Sequence, residues 1–139
     1  MFTEQGNHMK TNKLSTCFCT TEVDSCREYY IKYFAAKPVF DCGWYVVLKM
    51  DKGGSEICFI QPQENMPVFG GKGVMLNFNV DDVDAEYSRL TNAGLDVIMP
   101  LDDHPWGDRG FSVLDPIGNS VYVYSDREPS DEFKQYFIG

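Results

Sequence analysis

In Val74-Met75-Leu76-Asn77-Phe78-Asn79-Val80, the apolar Leu76, Phe78 and Val80 alternate with Met75, Asn77 and Asn79. That period of two marks a strand with one buried face. Directly after it, Asp81 or Asp82 offers a carboxylate to the free N–H groups of a first helical turn. Val83, Tyr87 and Leu90 recur at helical spacing, and Gly94 stands where a helix closes in a left-handed residue. Beyond it the pattern predicts a short strand at Asp96–Met99, a loop at Pro100–Arg109 and a strand at Gly110–Leu114. A tight turn, Asp115-Pro116-Ile117-Gly118-Asn119, leads into a last strand at Ser120–Tyr124, and Asp131–Phe137 is expected to form a short terminal helix. The order is β-α-β-β-β.

The same order is found earlier in the chain. Leu14, Thr16 and Phe18 alternate with Ser15, Cys17 and Cys19, again a strand. Thr21-Glu22-Val23-Asp24 has the form of a capping box, and Val23, Cys26, Tyr30 and Tyr33 follow at helical spacing, with Phe34 widening the stripe. Pro38 closes the helical region, because proline cannot donate a backbone hydrogen bond. Strands are expected at Val39–Cys42, Trp44–Met50 and Glu56–Gln61, the last two joined by a hairpin turn at Asp51-Lys52-Gly53-Gly54. Local matches support a repeat: Glu22-Val23-Asp24 against Asp82-Val83-Asp84, and Gly54-Ser55-Glu56-Ile57-Cys58 against Gly118-Asn119-Ser120-Val121-Tyr122. The chain thus divides into a polar N-terminal tail (1–13), a first βαβββ module (14–62), a Gln-, Pro- and Gly-rich linker (63–72), a second module (73–126) and a C-terminal segment (127–139).

A chain of 139 residues buries enough surface to fold without a metal or disulfide. Its hydrophobic content of 43% and charged content of 24% are those of a globular protein. The formal charge of −9 disfavours a phosphate backbone as partner, and no Lys/Arg cluster offsets it; it favours a cationic ligand, or serves solubility, the commoner role of such a charge. No segment approaches the roughly 18 apolar residues of a membrane span, and Met1 to Lys13 lacks the apolar core of a signal peptide. Five cysteines, Cys17, Cys19, Cys26, Cys42 and Cys58, are odd in number and confined to the first half. They do not form a secreted disulfide framework, so a reducing cytoplasm is expected.

His104-Pro105-Trp106-Gly107-Asp108-Arg109-Gly110-Phe111, followed by Asp115-Pro116-Ile117-Gly118-Asn119 and preceded by Asp81-Asp82-Val83-Asp84, resembles the second half of a vicinal oxygen chelate protein. That superfamily includes glyoxalase I, fosfomycin-resistance proteins, extradiol dioxygenases and bleomycin-binding proteins. The resemblance is strongest from Gly73 to Ser125. It implies an α+β fold in which two tandem βαβββ modules form a curved mixed sheet around a groove. Enzymes of the family place His or Glu metal ligands on the first and fourth strands of each module. The matching positions here are Ser15, Cys58, Met75 and Tyr122, with a one-step uncertainty of alignment at Ser15, and none is a histidine or carboxylate. Divalent ions of the Mn²⁺, Fe²⁺ and Zn²⁺ kind need converging deprotonated oxygen or imidazole donors. The two histidines, His8 in the tail and His104 before Trp106, fall off those strands, so neither a metal nor another cofactor is expected. Cys17, Cys19 and Cys58 admit thiol chemistry or a soft ion, but Cys-x-Cys sets its sulfurs side by side, and the reading as small apolar filler is favoured. Glu56 is read as a solvated residue at a strand start rather than a lone carboxylate ligand.

The expected ligand-binding residues are Trp106, Arg109, Phe111, Asn77, Tyr122, Tyr124, Cys58 and Trp44, with no catalytic residue among them. Tyrosine and tryptophan present flat apolar faces with a polar tip, which suits a small planar or cationic organic ligand. Core packing is the competing reading for Tyr122, Tyr124 and Trp106. Arg109 either anchors a ligand anion or pairs with an acid such as Asp108 or Asp115, the second being favoured. The sequence leans away from an enzyme: it predicts a non-catalytic binding protein of the bleomycin-resistance type, with antibiotics among its candidate ligands, and the resemblance implies a homodimer. The alternatives are a metal-dependent lyase, transferase or dioxygenase with an atypical site, and a structural or regulatory partner with a vestigial groove.

Overall fold

The computed structural model describes residues 7–139, so Met1–Gly6 of the expected polar tail lie outside the described residues. The chain divides after Phe69, within the expected linker, into two compact units. In the first, strand β1 (Ser15–Cys19) leads into helix α1 (Val23–Phe34), followed by β2 (Lys37–Asp41), β3 (Tyr45–Lys49) and β4 (Glu56–Ile60). The sheet order is β1-β4-β3-β2, with β1 parallel to β4 and the other pairs antiparallel. Phe18, Val46, Leu48, Ile57 and Phe59 are buried and share one face by strand parity. Against that face α1 buries Val23, Cys26, Tyr29 and Tyr30, with Tyr30 and Phe59 stacked at 5.7 Å. Tyr29, not Tyr33, completes the buried stripe; Tyr33 is only half-buried.

The Thr21 capping box does not form. Glu22 is the N-cap residue, without a side-chain cap. The Thr20 N–H bonds Ile60 O at 2.8 Å, holding the chain on the sheet one residue longer, and the Thr20 hydroxyl accepts the Glu22 N–H at 3.0 Å. Pro38 lies inside β2, an edge strand where its missing N–H removes no interior ladder bond.

The second unit repeats the plan: β5 (Met75–Asn79), α2 (Val83–Asn92), β6 (Val97–His104), β7 (Asp108–Leu114) and β8 (Ser120–Asp126), then a single turn, α3 (Asp131–Lys134). Its order is β5-β8-β7-β6, with β5 parallel to β8. The molecule is therefore α+β, built of two four-stranded mixed sheets that each carry a helix in βαβββ order. Asp82, of the two candidates, caps α2 by accepting the Ala85 N–H at 3.1 Å. At the other end the Gly94 and Leu95 amides bond Thr91 O and Leu90 O, the paired bonds of a Schellman closure. Val83 and Leu90 are buried by α2, and Tyr87 meets Phe111 edge-on at 5.1 Å.

The expected loop at Pro100–Arg109 is instead most of a β-hairpin. β6 runs on through His104, and β7 starts at Asp108. The register shifts between Met99 and Asp102, so Pro100 sits at a bulge of an edge strand, where a residue without an N–H is tolerated. The Asp115–Asn119 turn is as expected. Asp115 Oδ1 accepts the Ile117 and Asn119 amides at 3.0 and 2.8 Å, and its Oδ2 accepts the Asn119 side-chain amide at 2.8 Å. Gly118 has φ +90°, and a β-carbon there would stand 3.0 Å from Gly71 O. Only glycine satisfies both conditions without strain. No helix among the described residues is long and apolar enough to cross a membrane.

Candidate functional site

Strand parity decides which side chains can meet. On β8, Val121 and Val123 are buried toward α2, so Tyr122 and Tyr124 emerge on the opposite face. The parallel register sets Asn77 beside Tyr122 and Asn79 beside Tyr124. On that face lies a cavity of about 550 Å³. Met75 and Asn77 of β5 and Met99 of β6 line it, with Tyr122, Tyr124 and Asp126 of β8. Trp106 and Gly107 of the β6–β7 turn, Asp108 of β7, and Phe137 complete it.

Asp108 organises the wall. Its side chain is buried, and Oδ2 accepts the Trp106 indole N–H at 2.9 Å. Oδ1 accepts the Tyr122 hydroxyl at 2.7 Å and lies 2.8 Å from His104 Nδ1. Tyr122 Oη is also 3.0 Å from His104 Nδ1. An imidazole protonated at Nδ1 meets all these contacts, donating toward Asp108 while the phenol donates to the same carboxylate. Three donors converge on one buried charge, which is how such a charge is tolerated away from water. Trp106 then lies flat on His104, with centroids 4.5 Å apart and planes 3° from parallel, and Tyr124 stacks on Tyr122 at 5.6 Å. Burial, then the hydrogen bond to Asp108 and its charge, with a smaller effect of Tyr124, push the Tyr122 phenol well above its ordinary range. It stays a neutral donor at physiological pH.

Gly110 makes this possible. A β-carbon there would sit 2.5 Å from Tyr122 Cζ and from its hydroxyl oxygen. The tyrosine crosses β7 only because position 110 has no side chain.

Of the expected ligand-binding residues, the structure gathers Trp106, Asn77, Tyr122 and Tyr124 around this cavity. Arg109 and Phe111 do not belong to it. Both lie on the α2 side of the sheet, because β7 begins at Asp108 and alternates from there. Phe111 is fully buried against Tyr87, and Arg109 pairs with Asp84 of α2 at 3.0 Å and with Asp103 at 3.3 Å, not with Asp108 or Asp115. Cys58 and Trp44 belong to the first unit. Cys58 is buried beside Cys17 in the parallel register, on the face away from α1, and Trp44 is half exposed next to Tyr45. A hydrogen bond to Cys58, then burial and the charges of Cys58, Cys17 and Glu56, push the Tyr45 phenol up to about 12. Burial, then Cys58 and Cys19, push the Cys17 thiol up, the opposite of an activated thiolate.

The residues at the family's metal positions do not fit an ion. Among the described residues no group of three or more His, Cys, Asp or Glu side chains is arranged to hold one. Tyr122, at one of the four places, has its hydroxyl committed to Asp108, and Met75, at another, is 62% exposed. Among the described residues, those that line the cavity include no serine, threonine, cysteine or lysine to act as nucleophile. What it presents is ring faces, two thioethers, an amide and, at Asp126, a carboxylate without an ion-pair partner among the described residues. Sequence reasoning missed His104, Asp108, Met99, Asp126 and Phe137 as members of this region.

A family model described as Glyoxalase/Bleomycin resistance protein/Dioxygenase superfamily matches residues 13–123. Among solved structures, the chain is similar to TnmS3, an antibiotic binding protein from Streptomyces sp. CB03234. The TM-score is 0.70 at 20% identity, covering 86% of this chain and 99% of that one. A glyoxalase/bleomycin resistance protein/dioxygenase from Nocardioides gives a TM-score of 0.72 at 16% identity, with 90% of each chain covered. TioX from Micromonospora sp. ML1 gives 0.66 at 23% identity, covering 83% of this chain and 99% of that one. These likenesses establish a shared fold. An uncharacterized protein of Mycobacterium bovis is 46% identical over 50 residues, 36% of this chain and 33% of its own length. The match thus spans about a third of that relative.

Proposed function

Because this chain belongs to the glyoxalase/bleomycin resistance protein/dioxygenase superfamily, we propose that it is a non-catalytic binding protein whose second unit holds a small planar organic molecule, favoured when cationic. The observation that carries this reading is that Asp108, His104 and Tyr122, the acid–base groups of the wall other than the exposed Asp126, are consumed by one another. Asp108, His104 and Tyr122 satisfy each other, and Asp108 fixes the Trp106 indole, so the cavity is left with rigid ring faces. Rigid aromatics lose little entropy when a flat ligand stacks on them. Asp126 at the cavity edge and the formal charge of −9 favour a cation over an anion. TnmS3, described as an antibiotic binding protein, shares the fold, and that supports a drug-like organic ligand as the class to test. By the same family reasoning we take the protein to act in the cytoplasm as a homodimer, which sedimentation equilibrium checks directly.

The test is a thermal-shift screen of planar aromatic compounds, cationic and neutral. A ligand at a hundred times its dissociation constant adds about 2.7 kcal/mol of stability, enough to raise the midpoint by several degrees. A flat response to the whole panel refutes the reading. So does a stoichiometric transition metal in the purified protein together with turnover that a chelator abolishes.

A further inference from the structure

The residues after β8 lie beyond the stretch that the family model matches, yet they reach back to the cavity twice. First, they hold the turn that carries Trp106. The Arg127 N–H bonds Gly107 O at 2.8 Å, and the Ser130 N–H bonds Pro105 O at 2.9 Å. The two carbonyls on either side of Trp106 are thus both fixed by this one segment. Contact is close: a β-carbon at Gly107 would stand 3.2 Å from Arg127 O and 3.3 Å from Pro129 Cβ. Second, the segment supplies a ring. Ser130 O accepts the Phe133 and Lys134 amides, Lys134 pairs with Glu128 at 3.0 Å, and Lys134 O accepts the Phe137 amide at 3.2 Å. This short coil ends with Phe137 lining the cavity while its side chain is largely in solvent, 65% exposed.

We infer that the segment Arg127–Phe137 is a functional part of the ligand site, with Phe137 a specificity-determining wall that covers a planar ligand bound against Trp106 and Tyr124. This rests on the binding reading above and adds to it. An exposed phenyl ring contributes little to folding, because it has left little water behind. It gains contact only when something flat fills the space beside it. The same segment bonds the carbonyls on both sides of Trp106, adding to the hold of Asp108 on its indole, so clamp and wall act on one pocket from one piece of chain.

The experiment titrates the full chain with proflavine, a planar aromatic cation, followed by the dye's own emission. Wild type, Trp106→Ala, Phe137→Ala and Phe137→Tyr are compared, and melting temperatures confirm that each is folded. Expected are saturable binding by wild type, losses of about tenfold in both alanine variants, and near-full recovery in Phe137→Tyr, which restores a ring. If Trp106→Ala loses affinity while Phe137→Ala matches wild type, the site stands and the role given to Phe137 is overturned. Failure of Phe137→Tyr to recover also overturns it, because the ring is then not what matters. Absence of binding by wild type, or indifference to Trp106→Ala, overturns the site itself and this inference with it.

Discussion

The Tyr122 ring crosses strand β7 directly over Gly110, so close that its hydroxyl oxygen lies 2.5 Å from the place of a β-carbon at that position. A backbone gap on one strand thereby lets a phenol on the next reach Asp108 at 2.7 Å. The relationship joins core geometry to the cavity wall, and its consequences can be measured.

Gly110→Ala is expected to expel Tyr122 from its bond with Asp108, because a β-carbon there would stand 2.5 Å from the Tyr122 ring and hydroxyl, and the ring, stacked on Tyr124, must swing aside to make room. Overpacking of this kind costs about 1–3 kcal/mol. Urea unfolding should show a lowered midpoint with an unchanged slope, and proflavine affinity should fall with it. Gly110→Ala with wild-type stability would mean that the ring moves aside freely and the wall is not rigid.

Asp108→Asn keeps the shape but puts an amide where three donors converge. Charge-assisted bonds from Trp106, His104 and Tyr122 cannot all survive, and a loss of about 1–3 kcal/mol is expected. The specific signature is release of the Trp106 ring. In a Trp44→Phe background, acrylamide should quench the remaining indole more strongly in the Asn variant. Equal quenching in the two proteins would show that Asp108 does not fix Trp106.

Much of this was legible in the sequence. The alternation in Met75–Asn79 and the Val83–Leu90 stripe appear as read, and the cap falls on Asp82, one of the two aspartates considered, since each is set by neighbours close in the chain. The β6–β7 hairpin was hidden because Asp102, Asp103 and Pro100 look like loop residues, whereas an edge strand with one face in solvent accepts them. A signal for Phe111 was present and unused: period two from Val113 sends Phe111 and Arg109 to the core side and Gly110 and Ser112 to the other. His104 and Asp108 become cross-strand partners only once the Pro105–Gly107 turn exists. Phe137 was read as the end of a terminal helix, whereas α3 stops at Lys134 and the turn after it, with the Phe137 amide on Lys134 O, places the ring.

Alkaline titration tests the environments of Tyr45 and Tyr122. Tyr45 and Tyr122 both have raised phenol pKa values, so the folded state prefers their protonated forms. The sign follows directly. Their contribution is complete below the ordinary tyrosine pKa of about 10 and is lost as pH climbs from there through the folded values, near 12 for Tyr45. Stability should therefore decline above about pH 10. Tyrosinate absorbance should include Tyr45 and Tyr122 among the phenols that ionise late, or together with unfolding. Tyr45→Phe and Tyr122→Phe should each remove one late phenol, and a titration in which all eight tyrosines ionise together near pH 10 in the folded protein would contradict these environments.

Stacking and charge can be separated at Asp126. The carboxylate is exposed at the cavity edge, where water and salt weaken its field, so its share should be small. Asp126→Asn is expected to weaken proflavine binding by about two- to fivefold, the range of an exposed charge interaction. It should leave acridone, a neutral ring system of similar shape, unaffected. Raising the ionic strength should narrow the gap between wild type and variant for proflavine, because screening removes the same term that the mutation removes. Equal losses for both ligands would assign Asp126 a structural role. A loss for proflavine that persists at 1 M salt, where the screening length is only about 3 Å, would require the cation to contact the carboxylate directly. If acridone keeps its affinity in the variant, the flat ring system that the two ligands share is what binds, against the faces of Trp106, Tyr124 and Phe137.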